Sequence, residues 1–310
     1  MESACREIRH SLGDLRRLSA AVAFLSAGER RQIRELYAAT YKEDLVERLH
    51  RDHSSDPENE LLLTALCLWM MDPIERDAVV ARKAINGEDA QFRALVEIYT
   101  SRKSSQLFYI NRAYQARFKR SLDQDILSRL PQPYQKILAA LAASHRSHRA
   151  EPSQEIARSD AKRLFEAGKG GAEPVDEVLQ LELLSKRSLP QLRLTFSVYK
   201  QIYGLGYNQS LKKSPPGEFQ ESLRTVLKCL CDPHLYFATV LHACMKGTIP
   251  DMSALPRVMA SRAEVDMAAV EGAFEGKYGL KLPAAIQVNV RHEGLRSFLL
   301  ALTTRTTTTS

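Results

Sequence analysis

The chain lacks any apolar run long enough to cross a bilayer. Its longest, Leu61 to Met71, covers eleven residues, includes Thr64 and stops at Asp72, whereas a spanning helix needs about 20. The opening residues Met1-Glu2-Ser3-Ala4-Cys5-Arg6-Glu7 contain no apolar secretory core, so a cytoplasmic protein is expected. Cysteine is scarce and odd in number: Cys5, Cys67, Cys229, Cys231 and Cys244 show no paired CxxC spacing, which argues against a disulfide framework or a zinc module. Cys229 and Cys231 flank a single residue, with Cys244 downstream, and buried thiols are the expected reading over a redox or metal role. There is no GxxxxGK[ST] run and no nucleophile with a matching base. His10, His50, His53, His234, His242 and His292 are scattered. The chain is therefore expected not to be an enzyme. No nucleic-acid module is visible either, and no nucleic-acid partner is expected.

What the chain does have is an aromatic pair four residues apart, present four times: Tyr37 with Tyr41, Tyr114 with Phe118, Tyr199 with Tyr203, and Phe274 with Tyr278. The copies are separated by 77, 85 and 75 residues, and a period of that size over most of a chain means an array of similar units. Around three of the pairs an apolar ladder continues in steps of four: Ile33-Tyr37-Tyr41-Leu45-Leu49, Ile110-Tyr114-Phe118-Leu122-Ile126 and Val270-Phe274-Tyr278-Leu282-Ile286. Side chains four apart share a helical face, so each unit is expected to carry an amphipathic helix with its aromatic stripe inward. The third copy, Thr195-Tyr199-Tyr203-Tyr207-Leu211, is interrupted by Gly204 and Gly206. In the fourth, Gly279 directly after the second ring predicts a helix, a turn and the start of another helix. Arg102, Arg187 and Arg262 each stand twelve residues before their aromatic, where the first unit has Leu25. Core packing is the expected role of the rings.

The units fall into two pairs. Ser144 to Asp160 carries His145, Arg146, His148, Arg149 and Pro152 with few apolar residues, which reads as a solvated linker between two halves. The net charge of +7 favours an anionic partner, with Arg112, Arg117, Lys119 and Arg120 and the Arg146/Arg149 segment as candidate clusters. A basic residue near an anionic leaflet contributes about 1 kcal/mol, decaying over a Debye length. His145 and His148 beside those arginines predict stronger membrane contact on mild acidification.

Several stretches resemble the annexin family, plant annexins in particular: Glu29-Arg30-Arg31-Gln32-Ile33-Arg34-Glu35-Leu36-Tyr37, Trp69-Met70-Met71-Asp72-Pro73-Ile74-Glu75-Arg76-Asp77-Ala78, Tyr114-Gln115-Ala116-Arg117-Phe118-Lys119-Arg120-Ser121-Leu122 and Ser261-Arg262-Ala263-Glu264-Val265-Asp266-Met267. The resemblance implies an all-α fold of four annexin repeats of about five helices each, arranged as a curved disc in two halves. The repeats are drawn at 8–72, 73–143, 161–231 and 232–303, with the linker at 144–160. It also implies peripheral binding to acidic phospholipid membranes through calcium. In the family, backbone oxygens come from a Gly-x-Gly-Thr loop before the first helix of a repeat, and a carboxylate about 40 residues later completes the site. Calcium takes six to eight hard oxygens, and a glycine-rich loop can converge its carbonyls.

The loops of this sequence depart from that pattern. The first repeat offers Leu12-Gly13-Asp14, with Leu63 at the carboxylate position and Glu60 three residues early. The second offers Asn86-Gly87-Glu88-Asp89 with Gln135. The third offers Lys169-Gly170-Gly171-Ala172-Glu173, then Gly217-Glu218-Phe219-Gln220-Glu221, where Gln220 replaces the final carboxylate. The fourth reads Met245-Lys246-Gly247-Thr248-Ile249-Pro250-Asp251, with Arg296 at the carboxylate position. Calcium is therefore expected to bind weakly or not at all. A residual site is drawn at Gly170, Gly171, Glu218 and Glu221, a degenerate loop at Gly247 and Asp251, and lipid-facing cations at Lys169, Lys246 and Arg296.

Two other functional readings compete. One is a calcium-independent helical-repeat scaffold for protein or cytoskeletal partners. The other is the peroxidase or nucleotide chemistry proposed for plant annexins; Phe24 stands where those relatives carry a histidine, which removes the proposed haem ligand.

Overall fold

A computed structural model describes residues 1–87, 92–143, 151–168, 176–213, 216–247 and 253–305. Among them there is no strand, and twenty α-helices fall into four sets of five. The first set is α1 Glu2–Ser11, α2 Leu15–Val22, α3 Ala27–Tyr41, α4 Leu45–His53 and α5 Glu60–Met70. The second is α6 Pro73–Asn86, α7 Phe92–Ser101, α8 Ser104–Phe118, α9 Leu122–Arg129 and α10 Gln132–Ala142. The third is α11 Gln154–Gly168, α12 Glu177–Lys186, α13 Leu189–Tyr203, the short α14 Tyr207–Ser210 followed by a 3-10 turn at Leu211–Lys213, and α15 Glu218–Cys231. The fourth is α16 Pro233–Met245, α17 Ala254–Arg262, α18 Met267–Tyr278, α19 Leu282–Asn289 and α20 Glu293–Thr304. No described helix is long and apolar enough to cross a membrane.

All four aromatic ladders break at the same place. The residue after the second ring, Lys42, Lys119, Gly204 or Gly279, takes the left-handed conformation with φ of 59°, 56°, 72° and 66° and ends the third helix of its repeat. The ladder then resumes in the fourth helix. Only the glycines of the third and fourth copies, Gly204 and Gly279, signal this helix-turn-helix in the sequence. The first two ladders break as well because lysine there accepts a backbone conformation that L-residues normally avoid.

The first ring of each pair is buried: Tyr37, Tyr114 and Phe274 are fully enclosed and Tyr199 nearly so. The second ring is half-buried, and its centroid lies 4.7, 4.9, 4.9 and 5.0 Å from the first. The first helix of each repeat supplies a covering group. Arg9 lies 4.9 Å above Tyr41 and Arg82 lies 5.6 Å above Phe118. Phe165 stacks on Tyr203 at 3.9 Å and His242 on Tyr278 at 3.8 Å. A cation or a second ring is attracted by the same aromatic face.

The recurrent arginine also has a structural role. Arg102 donates to Asp77 at 2.6 Å, Arg187 to Asp160 at 2.7 Å and Arg262 to Asp266 at 2.7 Å, each tying down the end of a second helix. In the first repeat, where Leu25 stands instead, the buried Arg30 donates to the Leu25 carbonyl at 2.6 Å, pairs with both oxygens of Glu264 and lies 3.7 Å over Trp69.

Contacts group the helices into two compact units, Met1–Arg76 with His234–Ser310, and Asp77–Pro233. This differs from halves divided at 144–160: the first repeat packs with the fourth, and the second with the third. The reason lies in α5, which is apolar nearly all round and buries Leu62, Leu63, Ala65, Leu66, Leu68, Trp69 and Met70. Such a helix must be covered on every side, and α2, α4, α17 and α20 cover it. In the second unit α10 packs against α7, α12 and α15.

The expected linker needs a correction as well. Residues 154–160 are the first two turns of α11, with Ala157 and Asp160 buried. A low apolar count concealed a helix whose inward positions are an alanine and an ion-paired aspartate. Residues 144–150, which include His145, Arg146, His148 and Arg149, lie outside the described residues.

Candidate functional site

Two segments of each repeat bear on ligand binding: the loop after its first helix and the segment joining its fourth and fifth helices. The loop thus lies between the first and second helices, not ahead of the first. In the first repeat Leu12-Gly13-Asp14 joins α1 to α2. The Asp14 carboxylate accepts from the backbone N–H groups of Arg16 and Arg17 at 2.9 and 3.2 Å, so it serves as a helix cap. His53, the last residue of α4, donates from Nε2 to the Leu12 carbonyl at 2.6 Å and joins the two segments directly.

The second and fourth repeats make the same connection with their partners exchanged. Arg129 at the end of α9 donates to Asn86 Oδ1 at 2.9 Å, and Lys246 after α16 donates to Asn289 Oδ1 at 3.4 Å. Each pair is separated by 43 residues, with cation and amide on opposite sides of the junction.

At the positions where the sequence reading expects a carboxylate, three repeats have a side chain that donates an N–H to backbone carbonyls. Gln135 donates from Nε2 to the carbonyls of Leu127 and Leu130 at 3.0 and 2.7 Å. Gln220, buried on α15, donates to the Leu211 carbonyl. The half-buried Arg296 donates to the carbonyls of Val290 and Arg291 at 3.1 and 3.4 Å. Leu63 of the first repeat is packed in the core, and Glu60 is exposed at the start of α5. These donors satisfy backbone carbonyls at or beside the junction of the fourth and fifth helices.

Of the other candidates, Glu218 and Glu221 lie in the first turn of α15, both exposed, and Glu221 is paired with Arg224 at 2.7 Å. Gly247 is left-handed at φ 65°. Lys246 is exposed. Lys169, Gly170, Gly171 and Asp251 lie outside the described residues, as do Glu88, Asp89, Glu173, Thr248, Ile249 and Pro250. Among the described residues no group of three or more His, Cys, Asp or Glu side chains is placed to hold a metal ion.

The annexin family model matches residues 76–141 and 236–302. Annexin Gh1 of Gossypium hirsutum is 35% identical over 277 residues, spanning 89% of this chain and 85% of that protein. The chain belongs to the annexin family. Annexin-like protein RJ4 of Fragaria ananassa is 32% identical over 89% of this chain and 86% of its own length. Human annexin A13 is also 32% identical, over 89% and 85%, so plant and animal annexins are about equally similar. Among solved structures annexin III, 30% identical, superposes with a TM-score of 0.84 over 97% of this chain and 92% of its own. Calcium-bound annexin (Sm)1 shares the fold at 23% identity and a TM-score of 0.79. Annexins are known for calcium-dependent binding to acidic phospholipid, and in this annexin Gln135, Gln220 and Arg296, the residues at three of the positions where a carboxylate was expected, act as nitrogen donors.

The loop junctions were not anticipated from the sequence. The 43-residue separation shared by Asn86/Arg129 and Lys246/Asn289 was the available signal, because a donor and an acceptor exchange places there while their spacing stays fixed.

Proposed function

We propose that this annexin is a cytoplasmic, peripheral membrane protein that docks on acidic phospholipid without needing bound calcium. The observation carrying the reading is the change from acceptor to donor at Gln135, Gln220 and Arg296. Calcium needs converging oxygens, and an amide or guanidinium N–H directed at backbone carbonyls withholds them. The residues at those positions do not fit the metal. The second supporting feature is that His53, Arg129 and Lys246 already join the two segments a calcium ion would bridge. The loops then hold their form from within, and attraction to lipid phosphate falls to side-chain cations such as Lys246 and Lys169. The histidines in the described loops and cores, His53, His242 and His292, are occupied by a carbonyl, a ring and a helix cap, which favours a binding protein over an enzyme.

Sedimentation with phosphatidylserine vesicles in calcium and in chelator tests this. Binding should persist in chelator and weaken as salt rises from 0.05 to about 0.3 M, since the Debye length shortens. Loss of binding on chelation would overturn it.

A second reading, a scaffold for protein partners, is favoured by one observation. Phe108 and Tyr109 are exposed side by side on α8 with Arg112 lying 5.8 Å from the Phe108 ring, and aromatic and arginine side chains are enriched at protein interfaces.

A further inference from the structure

The third helices of the four repeats differ at one pair of positions. Phe108 and Tyr109 stand six and five residues before Tyr114 on α8; the same places hold Arg31 and Gln32 on α3, Arg193 and Leu194 on α13, and Ala268 and Ala269 on α18. Two of the others are tied to the end of their own fifth helix. Arg31 pairs with Asp72, just after α5, at 2.5 Å, and Arg193 donates to the Leu230 carbonyl of α15 at 3.0 Å. The alanines of the fourth repeat are exposed. The fold thus needs no ring at this place, yet Phe108 and Tyr109 are 59% and 57% exposed between the buried Leu107 and Ile110.

The two rings and a neighbouring cation make one patch. The ring centroids lie 5.7 Å apart with planes at 73°, and Arg112, one turn on, lies 5.8 Å from the Phe108 ring. Ser105, Arg112, Ala116 and Lys119 continue the exposed stripe along and just past α8, at the three- and four-residue steps that share a helical face. From Arg102 to Leu122 the sequence holds Arg102, Lys103, Arg112, Arg117, Lys119 and Arg120 but no carboxylate. Arg102 and Arg120 are used within the fold, by Asp77 and Asp125, whereas Lys103, Arg112 and Lys119 are exposed with no carboxylate partner among the described residues. The patch also stands apart from the loop after α6, because the ten residues of α7 carry the chain about 15 Å from it before α8 begins.

We propose that the outward face of α8, centred on Phe108, Tyr109 and Arg112, docks an acidic peptide segment of a partner protein, anchored by an aromatic or aliphatic side chain. The proposal rests on the scaffold reading, to which it gives a partner chemistry, and it does not depend on lipid binding. Aromatic and arginine side chains supply most of the energy of protein interfaces, and a rigid ring gives contact area at small entropic cost. The sign of the partner follows from the acid-free segment, since complementary charge steers encounter and like charge is rejected. A second copy of this chain, itself at +7, is disfavoured on the same ground.

The test uses the full chain in chelator. A displayed library of random peptides is selected on the parent, and the enriched peptides are synthesised and titrated by fluorescence anisotropy. They are compared on the parent, on Phe108→Ser/Tyr109→Ser, on Arg112→Glu, and on Ile202→Ser/Val265→Ser, which removes exposed aliphatic side chains elsewhere. The enriched peptides should carry net negative charge beside an aromatic or aliphatic residue. Their affinity should fall roughly tenfold or more in the aromatic variant, about threefold to tenfold in Arg112→Glu, and less than about threefold in the Ile202/Val265 control. Peptides that are not acidic, or that bind the aromatic variant as tightly as the parent, overturn the proposal; in the latter case the scaffold reading survives at another surface. No enrichment overturns both. If Phe108→Ser/Tyr109→Ser keeps the peptides and instead loses phosphatidylserine vesicles, the patch belongs to the membrane surface and the proposal falls. Failure of the membrane reading shows separately, as no binding of the parent to those vesicles in chelator.

Discussion

The first two repeats and the last two build the same local geometry from different chemistry. In the first two, the half-buried ring of the aromatic pair is covered by an arginine, and the turn beneath it is made by a left-handed lysine. In the last two, a phenylalanine or histidine ring covers it and the turn is made by glycine. The hydroxyl of the first ring follows the same division. Tyr37 and Tyr114 each accept from the arginine and donate to a carboxylate, Glu43 at 3.0 Å and Asp125 at 2.7 Å. Tyr199 is bonded to Ser210 and Phe274 has no hydroxyl. The requirement common to all four is a flat attractive surface over the second ring. Charge meets it only when a carboxylate is brought in to balance the arginine, whereas stacking meets it alone.

Breaking the charged version should have the largest effect. Asp125 is fully buried and accepts from Arg82, Arg120 and the Tyr114 hydroxyl. The Arg120 bond, outweighing burial, holds its carboxyl at about 2, with further help from Tyr114 and Arg82. Asp125→Asn should cost about 2 kcal/mol at neutral pH, less than a wholly buried pair because Arg82 and Arg120 reach solvent. The folded value lies below the unfolded one of 3.8. The carboxylate's contribution is therefore complete above that value and is lost as pH falls through it towards about 2. Urea unfolding at pH 7 and pH 3 measures both effects; the gap between parent and variant should narrow at the lower pH.

The stacked version is probed by giving the fourth repeat the third repeat's solution. His242 lies against Phe274 and Tyr278 and is held below 6.5, first by burial and then by Lys246 and Lys277. The unfolded chain thus takes up the proton before the folded one. Stability from this group is full above 6.5 and declines as pH falls. His242→Phe should leave the melting temperature within a few degrees of the parent at pH 7.5. Between pH 7 and 5.5 it should remove part of the parent's decline, an effect of about a degree or two. A variant that declines as steeply as the parent would mean that protonation is accommodated elsewhere.

How much of this was legible in the sequence follows from which interactions are local. The ladders and their period were readable because residues four apart must share a face, and the recurrent Arg102, Arg187 and Arg262 signalled a repeated anchor. The turn after the ring was readable only where glycine marks it. Lys42 and Lys119 hide it, since lysine is an ordinary helix former and nothing local warns of φ above zero. The helix over residues 154–168 was missed because its inward face is small and polar at Ala157 and Asp160. The pairing of the first repeat with the fourth depends on α5 meeting α17, roughly 190 residues apart in sequence. At the loops, the absence of carboxylates at Leu63, Gln135, Gln220 and Arg296 was plain. That the latter three donate inward required side-chain geometry across separate elements.

The smallest expected effect concerns the turn itself. Lys119 takes φ 56° and its Nζ donates to the Ala116 carbonyl at 2.8 Å on the exposed end of α8. A left-handed L-residue costs about 1–2 kcal/mol, while glycine there loses about 0.5–1 kcal/mol more backbone entropy on folding. The difference favours Lys119→Gly by about 0.5 kcal/mol, minus a few tenths for the exposed lysine bond. The same change at Lys42, which makes no such bond, should therefore stabilise slightly more. Thermal melts of the two single variants and their combination test this. Additive gains would show that the two turns are independent and that the glycine of the last two repeats is the lower-energy solution. A net loss at both sites would show that lysine contributes there through an interaction stronger than the backbone strain it imposes.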